Sequence, residues 1–160
     1  MPLILLVALV AGGCGFHLRG EAPLLDPDGI PSPLHVSGLS LDSALRNAVV
    51  AQLRQAGVTV ASGSADAAAT LRLSDPASGS RLLSVDGRNK AVEYELAESV
   101  SMGLVSNRGE TLLEPRRISV TRIQYRPDDA ILAGANEAEL LRGDMRRDLA
   151  NRILTRLAAR

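Results

Sequence analysis

Few side chains in this sequence are equipped for covalent or metal chemistry. Cys14 is the single cysteine, which excludes an intramolecular disulfide and every zinc pattern built from several cysteines. Of the two histidines, His17 has no second His or Cys at ligand spacing, so packing or hydrogen bonding beside Cys14 explains it better than catalysis. Three carboxylates gather at Glu93, Glu95 and Glu98. On an extended chain Glu93 and Glu95 share one face and Glu98 points to the other. That spacing suits solvated or partner-facing charge rather than an acid/base pair. No Gly-x-Ser-x-Gly nucleophile elbow occurs. The cations are more informative: 17 of the 18 basic residues are Arg, Lys90 being the exception. Arg88 and Lys90 stand at a turn, Arg116 and Arg117 are adjacent, and Arg122 follows. Guanidinium forks and ammonium point charges both bind phosphate. Charged turns and strand ends also keep sheet edges soluble, and both readings stand for these five residues.

The elements that must carry these residues are legible in the patterning. The 160 residues make one domain's length, with 46% hydrophobic and 22% charged residues, as in ordinary globular chains. Equal numbers of acidic and basic residues, 18 of each, argue against a nucleic-acid binder. A short strand is expected at 34–37. A helix follows, capped by Ser40 with Asp42 in its first turn, and its stripe runs Leu41, Leu45, Val49 and Leu53. Gly57 stands at the C-terminal cap, and Val58–Val60 begins a strand. Strict alternation marks 69–74 as a half-buried strand, and Pro76 and Gly79 suggest an edge or bulge before 81–85 resumes it. Asp86-Gly87 turns the chain into a long strand whose apolar face holds Val92, Tyr94, Leu96, Val100, Met102 and Leu104. In the next strand, 111–125, the apolar phase shifts from Ile118 and Val120 to Ile123 and Tyr125, which predicts a bulge at Thr121-Arg122. A last helix is expected from Asn136 as N-cap with Glu139, its stripe running through Leu141, Met145, Leu149, Ile153, Leu154 and Leu157. Gly143 inside it suggests close packing. The resulting class is α+β: a two-layer sandwich with two helices on one face of a mostly antiparallel or mixed sheet of about four strands.

The N-terminus is organised differently. Residues 1–13 carry no charged side chain, and they are shorter than the roughly 20 residues a membrane-spanning helix needs. Their length suits the apolar region of a signal peptide. Ala11-Gly12-Gly13-Cys14 resembles a bacterial lipobox, which implies removal of 1–13 and lipidation of Cys14. Ala11 stands where Leu is usual, and no Lys or Arg precedes Arg19, a gap that a start codon called too late would explain. Gly15 after the cysteine favours outer-membrane delivery over inner-membrane retention. Residues 14–32, with prolines at 23, 27 and 31, read as an extended tether, and 33–160 as a single domain.

The run Cys14-Gly15-Phe16-His17-Leu18-Arg19 resembles the mature start of the LptE family of lipopolysaccharide-assembly lipoproteins. Leu45-Arg46-Asn47 with Gln52-Leu53-Arg54 is similar to the family's first helix, and Val92-Glu93-Tyr94-Glu95 to its central strand. Asn136-Glu137 leading to Ile153-Leu154-Thr155-Arg156-Leu157 is similar to its closing helix. The resemblance implies a non-enzymatic lipoprotein of the outer membrane, with no cofactor beyond the lipid on Cys14, palmitate included. It implies a 1:1 complex inside the lumen of an LptD-like β-barrel, as plug, assembly partner and lipopolysaccharide-binding component. Arg88, Lys90, Arg116, Arg117 and Arg122 are then the candidates for lipopolysaccharide phosphates. A lipoprotein binding a small molecule or glycan would instead need a concave pocket, and a lipoprotein enzyme a convergent acid/base pair.

Overall fold

A computed structural model describes residues 29–126 and 131–159. Cys14, the apolar run 1–13 and most of the tether lie outside the described residues. Among the described residues the order is β1 (Leu34–Ser37), α1 (Ala44–Gln55), a 3₁₀ turn (Ser64–Asp66), β2 (Ala69–Val85), β3 (Ala91–Ser106), β4 (Thr111–Tyr125) and α2 (Ile131–Ala158). The four strands form one sheet in the order β1-β2-β3-β4. β1 runs parallel to β2, and the other neighbours are antiparallel, as short turns between them require. Both helices bury their stripes on one face, giving the expected two-layer α+β sandwich.

The core follows the two periodicities. Leu34, Val36, Leu71, Leu73, Val100, Met102 and Leu104 point inward from the strands, while Val49, Leu53, Met145, Leu149, Ile153 and Leu157 meet them from the helices. Each such side chain, fully buried, contributes about 1.5–3 kcal/mol through removal from water. α1 ends with Gly57 at φ +81°, whose N–H reaches the Arg54 carbonyl while the Val58 N–H reaches Leu53. These paired bonds close the helix as a Schellman cap.

Several expectations are corrected. α1 starts later than a cap at Ser40 implies: Ser43 is the N-cap, its Oγ accepting from the Arg46 N–H at 3.4 Å. The residues before it form a turn, with the Ser43 N–H on the Ser40 carbonyl, so Leu41 leaves the stripe and is 77% exposed. Ser40 instead hydrogen-bonds the Asp42 carboxylate and holds its pKa below the ordinary value. Val58–Val60 contributes only an isolated bridge between Leu34 and Val60. β2 runs unbroken past Pro76, because a bulge between Ser74 and Ala77, with Asp75 at φ +50°, absorbs the proline. β1 covers only Ala69–Arg72, so Pro76 does sit on a locally open edge.

No bulge lies at Thr121-Arg122. β4 keeps an unbroken register with β3 from Tyr125 opposite Glu93 to Arg116 opposite Met102. The apolar phase changes because Ile123 and Tyr125 project from the outer face, 66% and 63% exposed, and Gln124 takes the inward place. Its Nε2 donates to the Gly134 carbonyl at 2.6 Å. α2 likewise begins at Ile131, so Asn136 is an exposed interior residue rather than a cap. Gly143 packs against nothing: a Cβ there would have open space.

A cationic seam between the last two strands

The five candidate cations do not form one site. Arg88 and Lys90 occupy the β2–β3 turn. Asp86 organises that turn, its carboxylate accepting the Arg88 N–H at 2.8 Å and the Lys90 N–H at 3.0 Å. These bonds, the one from Lys90 foremost, hold the Asp86 pKa below the ordinary carboxylate value. The Arg88 guanidinium folds back onto the same carboxylate at 3.4 Å. The turn lies beside the Glu93–Tyr125 pair, whereas Arg117 lies opposite Ser101, eight residues further along β3. At about 3.3 Å per residue the two cation groups stand roughly 26 Å apart.

Arg116 and Arg117, being consecutive in a strand, point to opposite faces. Arg116 lies on the helix side, opposite Met102, and Arg117 lies on the outer face, where its Nη2 donates to Ser99 Oγ at 2.7 Å. Arg122 is also on the helix side and is committed to α2: its Nη2 donates to Asp148 Oδ2 at 2.9 Å. Asp148 also takes Arg152 at 3.4 Å. Burial works to raise the Asp148 pKa, and the two arginines outweigh it, leaving the carboxyl below its ordinary range.

The carboxylates are likewise placed. Glu93 accepts from Ser84 Oγ at 2.6 Å and Glu95 pairs with Arg81 at 3.2 Å. Glu98, expected to be solvated or to face a partner, is instead buried under α2. It accepts from Ser78 Oγ at 2.8 Å, with Arg142 and Arg146 each at 3.9 Å. Residue-by-residue alternation puts Glu98 on the inward face; only the tertiary fold supplies its counter-charges. Among the described residues no three His, Cys, Asp or Glu side chains cluster as metal ligands would.

A concavity escapes the sequence patterning. Opposite Gly103, β4 carries extra residues at two successive places, between the Met102–Arg116 and Leu104–Leu113 pairs and again before Val105–Thr111. Pro115, which has no N–H for the ladder, sits in the first of these. On the outer face this leaves a cavity of about 200 Å³, lined by Arg72, Ser74, Met102, Gly103, Val105, Thr111, Leu113 and Pro115. Behind it, towards α2, a smaller cavity of about 70 Å³ shares Met102 and Leu113 and adds Glu114, Arg116, Ile118 and Arg156. Among the described residues, the side chains of Arg72, Arg116 and Arg156 have neither a hydrogen-bond nor an ion-pair partner. The available signal is Gly103 and Pro115, two residues that weaken regular strands.

An α+β domain with one polar sheet face, two helices on the other, and cations at its strand irregularities defines the class. The family described as LptE, lipopolysaccharide assembly, matches residues 31–157, and the chain belongs to this family. The chain is similar to the LPS-assembly lipoprotein LptE of Photorhabdus laumondii, at 31% identity over 161 aligned positions, 97% of this chain and 82% of the relative. The crystal structure of rare lipoprotein B from Shewanella oneidensis has the same fold, with 28% identity and a TM-score of 0.69 over 79% of this chain and 93% of that one. A solution structure of a lipoprotein B from Nitrosomonas europaea, 22% identical, matches in fold at TM-score 0.69 over 79% of this chain and 81% of its own.

Proposed function

We propose that this chain is a non-enzymatic component of lipopolysaccharide assembly, lipidated at Cys14 after removal of 1–13 and anchored to the outer membrane. Its domain sits in the lumen of an LptD-like β-barrel in a 1:1 complex, assists the barrel's assembly and contacts lipopolysaccharide in transit. The observation that carries this reading is the family match over residues 31–157, nearly the whole described domain. The physical character agrees with it. A barrel lumen is polar, and a plug within it needs a compact body with a hydrophilic exterior. The outer sheet face supplies Ser, Thr and small residues with Arg72, Arg81 and Arg117. Among the described residues no helix is long and apolar enough to cross a membrane.

Arg88, Lys90, Arg116 and Arg117 are the proposed phosphate contacts, the exposed turn reaching outward and the strand pair held by the sheet. Arg122 can join them only by sharing its guanidinium with Asp148. The test is affinity purification from native membranes after gentle extraction. A large β-barrel recovered at 1:1 is the expected result; recovery of the protein alone overturns the plug reading. Cys14→Ser should release the domain from the membrane fraction, and an intact unacylated N-terminus by mass spectrometry would remove the anchor.

A further inference from the structure

β4 is an edge strand: among the described residues it pairs with β3 on one side and with no strand on the other. The Arg126 N–H donates to the Val92 carbonyl at 2.7 Å, next to the Glu93–Tyr125 pair. Bonded pairs alternate along an antiparallel ladder. Even-numbered residues of this stretch therefore turn their backbone groups to β3, and Ser119, Thr121 and Ile123 turn theirs to the open edge. Two of those open carbonyls are taken by arginine. Arg122 Nη1 donates to the Thr121 carbonyl at 2.9 Å, and Arg152 Nη1 reaches from α2 to the Ser119 carbonyl at 3.3 Å. Asp148 holds both forks, accepting Arg122 Nη2 at 2.9 Å and Arg152 Nε at 3.4 Å. Arg122, Asp148 and Arg152 are 43%, 30% and 52% exposed, and ion pairs this open to water add little stability. What they do occupy is the pair of carbonyls an incoming strand would use, on an edge that is otherwise a template for pairing.

We propose that Arg122 and Arg152, held by Asp148, form an autoinhibitory clasp over the β4 edge, which without it pairs antiparallel with the same edge of a second copy of this chain. The occupant follows from the strand itself. Ile118 to Tyr125 is rich in β-branched and aromatic residues and carries one charge, Arg122. Identical edges meet about a two-fold axis. An axis at Thr121 sets Thr121 against its copy, Ser119 against Ile123 and Arg117 against Tyr125, with no like charges opposed on the outer face. An axis at Ser119 would set Ile123 against Pro115, which has no N–H to give. The clasp stands independently of the function proposed above.

Analytical ultracentrifugation of the full chain carrying Cys14→Ser, so that neither a lipid nor a disulfide contributes, tests the clasp. The parent should stay monomeric. Arg122→Thr with Arg152→Ala should form a closed dimer, at least about tenfold tighter than any self-association of the parent. Its Ser119, Thr121 and Ile123 amides should gain protection from hydrogen exchange as concentration rises, while those of Val120 and Gln124, on the β3 side of the ladder, should change less. Adding Thr121→Lys opposes like charges at the axis, and adding Thr121→Pro removes an edge N–H; each should restore the monomer. Arg122→Lys with Arg152→Lys keeps both charges and loses the forks, so it should also associate more tightly than the parent. A lysine pair as monomeric as the parent overturns the clasp, because charge alone would then guard the edge. A dimeric parent overturns it too, as does a folded Arg122→Thr, Arg152→Ala variant that stays monomeric. Association that survives Thr121→Lys, or an open-ended polymer in place of a dimer, overturns the β4 edge as the surface used. If circular dichroism shows the Arg122→Thr, Arg152→Ala variant unfolded, the lysine pair carries the test.

Discussion

The two ends of the sheet are built on opposite plans. Near β1 the sheet is covered by both helices, and Leu34, Leu71, Met102 and Leu104 are fully buried. Its arginines Arg72, Arg116 and Arg156 have no carboxylate partner among the described residues. At the β2–β3 turn the sheet outruns its neighbours, and Leu82, Leu83, Val85, Ile123 and Tyr125 are exposed. Yet several of its charges are locally matched: Arg88 with Asp86, and Arg81 with Glu95. Arg126 lies 4.4 Å over the Tyr94 ring. Charge that is already paired locally is less available to a ligand than charge held open by a packed scaffold. The turn is the obvious cationic feature of the sequence, while the seam is the one where, among the described residues, cations are left without a carboxylate.

The largest expected difference between the ends is in stability. Leu71→Ala should cost about 2–5 kcal/mol in denaturant unfolding, because it opens a cavity in the packed end. Leu82→Ala, at a site 47% exposed, should cost less than about 1 kcal/mol. Equal losses would erase the contrast.

Ligand binding sharpens it next. Arg88→Asp with Lys90→Asp should weaken lipopolysaccharide binding by up to about tenfold, and make the remainder less salt-sensitive. The melting temperature should barely move, since neither side chain belongs to the core. Pull-down at two salt concentrations, with melting curves on the same samples, measures both. Undiminished binding in the folded variant assigns the phosphate contacts to Arg116 and Arg117.

Gly143→Ala should stabilise the protein by about 1 kcal/mol, the helix-propensity difference, since nothing lies within 4 Å of the added Cβ. A loss in calorimetry would reveal a packing demand on Gly143. The smallest effect is acid-dependent. Asp148 has a depressed pKa when folded, so its contribution is present above its unfolded value, about 3.9, and fades as pH falls through the folded one. Asp148→Asn should therefore lower stability at neutral pH by no more than about 1 kcal/mol. The deficit should vanish below the folded pKa, as paired pH-melting curves would show.

How much of this is legible in the sequence depends on the range of the interactions concerned. Alternation in 69–74 and 92–104 and the four-residue stripe in 141–157 identify inward side chains, because each depends only on local backbone geometry. Gly57 marks a helix end for the same reason. The start of α1 is not legible, since Ser40 and Ser43 are equivalent caps by local chemistry and the turn between them decides which is used. The phase change in β4 misleads because an inward Gln124 looks like a break until the Gly134 carbonyl of α2 is seen to receive it.

Side-chain type and periodicity by themselves determined the α+β class, the inward face of 69–74 and of β3, and the absence of a disulfide framework, because these depend on residue identity and local backbone geometry. Tertiary structure decided what no local pattern encodes. It neutralised Arg122 with Asp148, 26 residues away in the chain, gave the buried Glu98 its arginines from α2, and gave Arg72 and Arg116 no carboxylate among the described residues. It also set Gly103 of β3 beneath Pro115 of β4, so that two residues weak in any strand make a cavity. Whether a charge is free, and whether a missing side chain leaves room, depends on which distant segments folding brings beside it.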